Sequence, residues 1–229
     1  KNINQNVINN STVAISQSNY DFLKKLNIFK FPEKEFWPCE KMKLYTETNT
    51  EKFDEIFELN ANKPQKKILY MINNSKILEK LIKNIKKEGL VKLINAKNIS
   101  GINSSGLLKS IKYNNSKNSK YGLVILCTGN DSNLSRKVFK NENFKHSYQE
   151  VAITTILKHK SLKNYVARQI FFDDTIFAFL PISDTETSIV WSLQKKEIKK
   201  YISNTEIFKK KILKYSKKFF NKIKFKSNI

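Results

Sequence analysis

Glycine and arginine are both scarce in this sequence, and their scarcity limits what the chain can bind by itself. Its 229 residues include five glycines, none spaced as a G-x-G-x-x-G fingerprint or a Walker loop, so no glycine-rich phosphate cradle is present. Of its 43 lysines and arginines, only Arg136 and Arg168 are arginines, the residue that binds phosphate and guanine through paired hydrogen bonds. The net charge of +23 therefore indicates a surface of solvated lysines. We expect no specific nucleic-acid partner, and a lysine-rich nucleic-acid binder is the less favoured alternative.

Cysteine and histidine are also few, and no long apolar run is present. Cys39 and Cys127 form no C-x-x-C pair, and His146 and His159 have no neighbouring metal ligands, so neither a zinc site nor a disulfide framework is predicted. No apolar run approaches the roughly 20 residues of a membrane span, and the polar segment 1–10 has no signal-peptide core. We expect a cytoplasmic protein with no metal and no catalytic side chain.

Residues 148–193 have the composition of a β-sheet. Four segments rich in β-branched and aromatic residues, 151–157, 165–172, 176–182 and 187–193, are separated by turns rich in Asp, Thr and Ser. Such short polar turns favour tight reversals, so we predict an antiparallel sheet.

The alternation of side chains along a strand assigns residues to its two faces. Two sets each share one side of a strand: Ala167, Gln169 and Phe171 on the second strand, and Phe177, Phe179 and Pro181 on the third. If residues 172–176 form the turn, the two sets lie opposite one another. They then form one aromatic wall carrying a single amide, suited to a flat apolar ligand. An ordinary sheet core is the alternative interpretation.

Outside residues 148–193 the sequence predicts both strands and helices. We predict strands at 12–16, 68–72, 90–95, 105–113 and 121–127, a hairpin from 41–46 and 53–59, and a helix that begins near 73–75 and ends at Gly89. Two further helices are expected at 195–202 and 205–224. The second has an apolar stripe opposite its lysines, and we expect this stripe to pack on its own domain rather than on an anionic membrane.

One set of residues resembles a known family: Tyr148, Glu150-Val151-Ala152, Ala167, Gln169, Phe171, Ala178-Phe179-Leu180-Pro181 and Val190-Trp191. In this order they are similar to the middle of the FAD-dependent hydroxylases of ubiquinone biosynthesis, which have the p-hydroxybenzoate hydroxylase fold. The resemblance implies an α/β (α+β) fold. A partial FAD-binding lobe would span 1–30 and 67–145, a mainly antiparallel substrate-domain sheet 31–66 and 146–193, and C-terminal helices 194–229.

The resemblance also implies where ligands bind. It places a substrate ring beside Gln169, Phe171, Phe179 and Pro181, and the cofactor beside Thr128, Gly129, Asp131 and Ser132. The sequence departs from the family at the turn before Ala178, where Thr175-Ile176 replaces a Gly-Pro pair, and at two cofactor-side positions. Thr128 stands where the family has an aspartate, and Ser11 stands where it has an arginine that meets the flavin.

The implied enzyme uses FAD, NAD(P)H and O₂ to hydroxylate an aromatic quinone precursor, with contact to the inner membrane face or to other enzymes of ubiquinone biosynthesis. The family's N-terminal glycine fingerprint and its C-terminal Gly-Asp motif are both missing from this sequence. We therefore expect an internal fragment that binds FAD poorly alone. A non-catalytic remnant or accessory module for lipid or protein contact is the main alternative.

Overall fold

The structure is a computed structural model of the 229-residue chain. It describes residues 12–25, 35–48, 52–61, 66–94, 99–113, 117–128, 133–139, 148–172 and 175–226. The chain divides into two compact units. We call residues 4–88 with 149–229 the sheet unit and residues 89–148 the small unit.

The strands and helices of the described residues follow in chain order. They are β1 (Thr12–Ser16), α1 (Gln17–Lys25), β2 (Trp37–Cys39), β3 (Lys41–Glu47), β4 (Phe53–Asn60), β5 (Leu69–Asn73), α2 (Asn74–Ile85), β6 (Ile99–Ser105), β7 (Leu108–Tyr113), β8 (Lys117–Tyr121), α3 (Asn133–Val138), β9 (Glu150–Lys158), β10 (Val166–Phe171), β11 (Ile176–Pro181), β12 (Glu186–Gln194), α4 (Lys195–Ser203), α5 (Thr205–Ser216) and β13 (Lys224–Phe225). The predicted α/β fold class is confirmed.

A seven-stranded sheet with the order β13-β9-β12-β11-β10-β3-β4 dominates the sheet unit. The four strands predicted within 148–193 all lie in it, as β9 to β12, and each pair among them is antiparallel as predicted. The hairpin of β3 and β4 is also confirmed, and its first strand joins β10 in parallel. The sheet is therefore mainly antiparallel with one parallel junction.

Two C-terminal helices cover one face of this sheet, which we call the covered face. Its buried residues come from the sheet strands, α4, α5 and the turn after α5: Tyr45, Leu157, Ile170, Phe177, Phe179, Ile189, Trp191, Leu193, Tyr201, Phe208, Ile212, Tyr215 and Phe220. Trp191 stacks on Phe208 with ring centroids 5.2 Å apart. The expectation that the apolar stripe of α5 packs on its own domain is confirmed. The helix ends at Ser216 rather than near 224, because the chain then turns to place β13 beside β9.

A smaller sheet with the order β1-β5-β2 packs against one end of the opposite face. Cys39 and Met71 from this sheet are completely buried and contact Ala167 of the larger sheet. Ile15 and Ile72 pack with α1 and α2 in a separate apolar cluster. The side chain of Asn73 caps α2 by accepting a hydrogen bond from the Ser75 amide, which selects one of the three capping positions, 73–75, that the sequence left open. The helix ends at Ile85, so the prediction that Gly89 terminates it is wrong.

A buried polar network joins the loop before β10 to the loop before β12. The Asn164 side-chain amide donates to the carbonyl oxygens of Ser183 and Glu186, at 2.8 Å and 3.1 Å, and to Thr187 Oγ1 at 3.0 Å. Thr187 Oγ1 also lies 3.0 Å from His159 Nε2. Trp37 Nε1 donates to the main-chain carbonyl of Asn164 at 2.7 Å. These contacts hold the strand ends in register.

The small unit contains the antiparallel sheet β6-β7-β8 and the short helix α3. The strand predicted at 105–113 is confirmed over Leu108–Tyr113 as β7. Residues 106 and 107 form the turn that joins β6 to it, with Gly106 at φ +63°, a conformation that favours glycine. The strands predicted at 90–95 and 121–127 are wrong within the described residues, since 91–94 and 123–128 have no regular structure.

The predicted lobe boundaries remain a prediction. Segments 12–25 and 67–88 belong to the sheet unit. This division follows the compactness of each unit and is independent of which segments hold a flavin. Among the described residues, no helix is both long and apolar enough to cross a bilayer.

Candidate functional site

The register between β10 and β11 decides which predicted site residues face the same way. Phe171 pairs with Ile176 and Arg168 pairs with Phe179, and paired residues in a sheet share a face. Gln169 and Phe171 therefore lie on one face, whereas Phe179 and Pro181 lie on the other. The prediction that these four residues form one wall is wrong.

The physical reason is a one-residue difference in the turn. The sequence-based interpretation took 172–176 as the turn and so paired Phe171 with Phe177. In the structure Phe171 pairs with Ile176, and the Phe172 N–H donates to the Thr175 carbonyl at 2.9 Å, so the register differs by one residue. The tip residues Asp173 and Asp174 lie outside the described residues. Because side chains alternate with a period of two, a slip of one residue transfers the whole set to the other face.

Gln169 and Phe171 belong to a partly exposed surface opposite α4 and α5, which we call the open face. Two rows of register partners define it. The central row is Phe57, Leu44, Gln169, Ala178, Val190 and Thr154. The outer row is Asp54, Thr46, Phe171, Ile176, Ser192 and Ala152. All of these residues are half-buried or exposed.

The open face has the size and chemistry to hold a flat apolar molecule. Neighbouring strands lie about 4.8 Å apart, so six strands give a central row about 24 Å wide. Gln169 lies near its middle between Leu44 and Ala178, and its amide can both donate and accept a hydrogen bond. Apart from Asp54 at the edge strand, the two rows contain no charged side chain. The surface can therefore desolvate an uncharged ring and orient it through one amide.

The one arginine of the sheet is not available to the open face. Arg168 lies on the covered face, with its guanidinium carbon 5.1 Å from the centre of the Phe219 ring. Its Nη1 donates to the Val166 carbonyl at 3.2 Å. Burial lowers the pKa of this guanidinium, and the nearby Tyr45 partly offsets that effect. A carboxylate bound on the open face would have no cation from the two rows to pair with.

The other two predicted wall residues support the sheet from behind. Phe179 is completely buried among Phe177, Phe219 and Phe220. Pro181 is also buried, on the same side of β11. Pattern analysis missed Ala178 and Val190 on the open face. Side-chain alternation places Ala178 and Phe179 on opposite faces of β11, so the sequence already separated them. Deciding which of the two shares a face with Gln169 required the register between β10 and β11.

The predicted cofactor residues lie in the small unit. Thr128 is exposed at the end of the irregular segment 123–128. Gly129, Asp131 and Ser132, like Ser11, lie outside the described residues. Their cofactor role stays a prediction.

A cavity of about 430 Å³ lies where α1 begins and β4 ends. Its lining mixes polar residues such as Gln17 and Asp21 with apolar ones such as Leu59 and Ile68. Among the described residues, no group of three His, Cys, Asp or Glu side chains could hold a metal ion.

The larger sheet, with helices on one face and an open apolar face on the other, belongs to the fold of FAD-dependent aromatic monooxygenases. PqsL of Pseudomonas aeruginosa, a probable FAD-dependent monooxygenase, aligns with a TM-score of 0.65 at 11% identity, over 85% of this chain and 53% of PqsL. The 2,6-dihydroxypyridine-3-hydroxylase of Arthrobacter nicotinovorans aligns with a TM-score of 0.60 at 10% identity, over 81% of this chain and 46% of that enzyme. FqzB aligns with a TM-score of 0.59 at 10% identity, over 81% of this chain and 44% of FqzB.

These likenesses establish the fold. No protein-family model and no curated protein matches the sequence. The chain spans about half of the length of the solved structures that it matches.

Proposed function

We propose that this chain supplies the substrate-side sheet of a FAD-dependent monooxygenase that hydroxylates the aromatic ring of an uncharged ubiquinone precursor. The observation that carries the proposal is the open face, which is apolar, nearly free of charge and part of a sheet with the monooxygenase fold. NAD(P)H and O₂ are the proposed co-substrates. The ubiquinone precursor follows from the resemblance of residues 148–193 to the ubiquinone hydroxylases.

On this proposal, Gln169 hydrogen-bonds a ring hydroxyl, and Phe171, Ala178 and Val190 form the apolar floor beneath the ring. The floor excludes water from one side of the reacting carbon, and the amide fixes the rotation of the ring. Phe179 and Pro181 hold the strand in place from the covered face. The oxygen chemistry belongs to the flavin rather than to any side chain of this chain.

The residues present do not fit a complete FAD. The sequence has no glycine-rich loop for the pyrophosphate, and among the described glycines none approaches another part of the chain closely. We propose residues 128–132 as a cofactor-side contact, and assign them no step of the reaction.

Binding of a phenol with a short prenyl tail tests the proposal without requiring the flavin. Isothermal titration of the 229-residue chain should give saturable binding, and p-hydroxybenzoate, which carries a carboxylate, should bind at least about tenfold more weakly, a difference of about 1.4 kcal/mol. Val190→Asp should abolish binding, because it places a charge under the ring. Gln169→Leu should weaken binding, whereas Gln194→Leu, the same change outside the two rows, should not.

Equal effects of Gln169→Leu and Gln194→Leu, or tighter binding of the carboxylate, would contradict the proposal. A non-catalytic accessory module is the second candidate, because the phosphate-binding elements are missing from the sequence. It predicts no ring binding but retained contact of the lysine surface with anionic lipid or with partner enzymes of the same pathway. Such peripheral contact would use lysines, since the apolar stripe of α5 is occupied by the sheet.

A further inference from the structure

The sheet face that carries Gln169 is closed at one end. A third row of side chains lies two residues along each strand from the central row, and we call it the inner row. Its members are Leu59, Met42, Ala167, Leu180, Ser188 and Ile156. Ala167 at its middle is 1% exposed, whereas Gln169 on the same strand is half-buried. Because side chains two residues apart on a strand share a face, the element that covers this face ends between these two positions.

The covering element is the smaller sheet, through its strands β2 and β5. Cys39 and Met71 are completely buried in one apolar cluster with Ala167. Met42 on β3 and Leu180 on β11 are half-buried and pack against the same cluster from the two strands beside β10. They therefore lie where the smaller sheet meets the open face. We call the smaller sheet, with Met42 and Leu180 at its foot, the end wall.

The end wall is firmly joined to the larger sheet. Glu40 alone separates β2 from β3, and its N–H donates to the Tyr165 carbonyl at 2.8 Å. Trp37 Nε1 donates to the Asn164 carbonyl at 2.7 Å, and the Trp37 ring stacks on Tyr165 with centroids 5.3 Å apart. A closely packed junction of this kind has low compressibility. The position of the end wall relative to Gln169 is therefore fixed by the fold.

We infer that the end wall decides which edge of the substrate ring faces each end of the sheet, with Met42 and Leu180 as specificity-determining residues. This role rests on the proposed binding of the ring at Gln169. A ring held by that amide has room over the outer row, where Phe171 and Ile176 are half-buried, and none over the covered inner row. The substrate is therefore a phenol whose isoprenoid tail leaves toward the outer row and whose ring carbon facing the end wall carries only hydrogen.

Two isomeric ligands test the end wall. Both are phenols with a short prenyl tail on one carbon beside the hydroxyl. The first carries an isopropyl group on the other carbon beside the hydroxyl, which faces the end wall, and the second carries it on the carbon next to the tail, which faces the outer row. Isothermal titration of the 229-residue chain should show that the first isomer binds at least about tenfold more weakly, because extra carbons forced into a packed site are costly.

Leu180→Ala should remove most of this difference, because it opens space at the foot of the end wall, and Met42→Ala should do so from the other side of Ala167. Ile176→Ala is the matched control, since Ile176 is half-buried on the same face of β11 but lies in the outer row. It should leave the tenfold difference unchanged, as should Leu180→Met, which conserves volume. Thermal unfolding shows whether each variant is folded, and Met42→Ala carries the test if Leu180→Ala is not.

Equal binding of the two isomers by the unsubstituted chain overturns the role of the end wall. So does a difference that survives in the folded Leu180→Ala and Met42→Ala variants, or one that Ile176→Ala removes as fully as they do. In these cases the phenol without the isopropyl group still binds, and the ring site at Gln169 stands. If that simpler phenol does not bind, the proposed function fails and the role of the end wall fails with it, so the two failures are distinguishable.

Discussion

Single buried polar residues determine how the strand ends of the sheet unit are held. Asn164 is 1% exposed, and its side-chain amide donates to two carbonyls and one hydroxyl from the loop before β12 and the start of that strand. Its substitution removes the side-chain donor to the Ser183 carbonyl in a site closed to water, whereas loss of an exposed hydrogen bond is compensated by solvent.

Asn164→Ala should therefore lower the free energy of unfolding by about 2–3 kcal/mol. Ser161→Ala is the matched control in the same loop, because Ser161 Oγ donates to Asp184 at 3.1 Å in an exposed contact. It should cost less than about 0.5 kcal/mol. Urea denaturation followed by tryptophan fluorescence measures both. Equal losses would show that the Asn164 network does not hold the loops.

We expect the Glu58 carboxyl to make the stability of the fold depend on pH. Its carboxylate accepts hydrogen bonds chiefly from Lys43, and also from Lys41, which lowers its pKa from 4.5 to about 2. A carboxyl whose pKa is lower in the folded state stabilises the fold above the unfolded pKa, and this contribution disappears as pH falls. The loss should occur between about pH 4.5 and pH 2.

Glu58→Gln should flatten the fall in stability over that pH window, and Lys43→Met should do the same by removing the largest cause of the shift. Urea denaturation at successive pH values measures the free energy of unfolding of each variant. The double variant Glu58→Gln/Lys43→Met completes a double-mutant cycle, which gives the coupling energy between the two residues. If the coupling energy between the two residues is as large at pH 2 as at pH 6, Glu58 does not titrate as described.

At the scale of elements, the hairpin of β10 and β11 shows how pairing assigns roles. The alternation of Gln169 with Phe171, and of Phe177 with Phe179, is apparent from the sequence. The relation between the two strands is not, because it depends on one residue in the turn.

The same substitution on the two faces tests this register. Phe179→Ala should lower the free energy of unfolding by about 3–5 kcal/mol, because it leaves a cavity in the covered-face core. Phe171→Ala should cost about 1 kcal/mol or less, because the side chain is half-buried on the open face. Thermal unfolding of the two variants provides the comparison. A larger cost for Phe171→Ala would place Phe171 rather than Phe179 in the core.

Local signals predicted most of the other elements. The β3–β4 hairpin, β1 and the start of α2 near 73–75 were predicted correctly, because each depends on residues close together in the chain. The strand predicted at 121–127 was wrong, because apolar composition indicates a buried strand only when partners and covering layers are present. The end of α5 at Ser216 was missed because the apolar spacing continues into Phe219 and Phe220, which reach the same core through a turn.

For the whole molecule, the missing phosphate cradle has a direct consequence. Titration of the purified 229-residue chain with FAD, followed by flavin fluorescence, should give no saturable binding in the micromolar range, because the sequence has no glycine-rich loop to hold the pyrophosphate. Thr128→Asp, which introduces the aspartate that the ubiquinone hydroxylases carry at the similar position, should not by itself create binding. Micromolar saturation by the unmodified chain would contradict the interpretation that this chain supplies only the substrate side.

The sequence by itself determined the four antiparallel strands, the lysine-covered surface and the lack of a phosphate-binding loop, because composition and short-range periodicity are sufficient for each of these. Its resemblance to a known family implied the α/β class. The tertiary structure decided that Gln169 and Phe171 face away from Phe179 and Pro181, and that Arg168 is enclosed by the aromatic rings of the C-terminal segment. Both depend on contacts between residues far apart in the chain. A one-residue change in the β10–β11 turn would exchange the faces of these side chains. The packing of α5 and of the turn after it determines the position of Arg168.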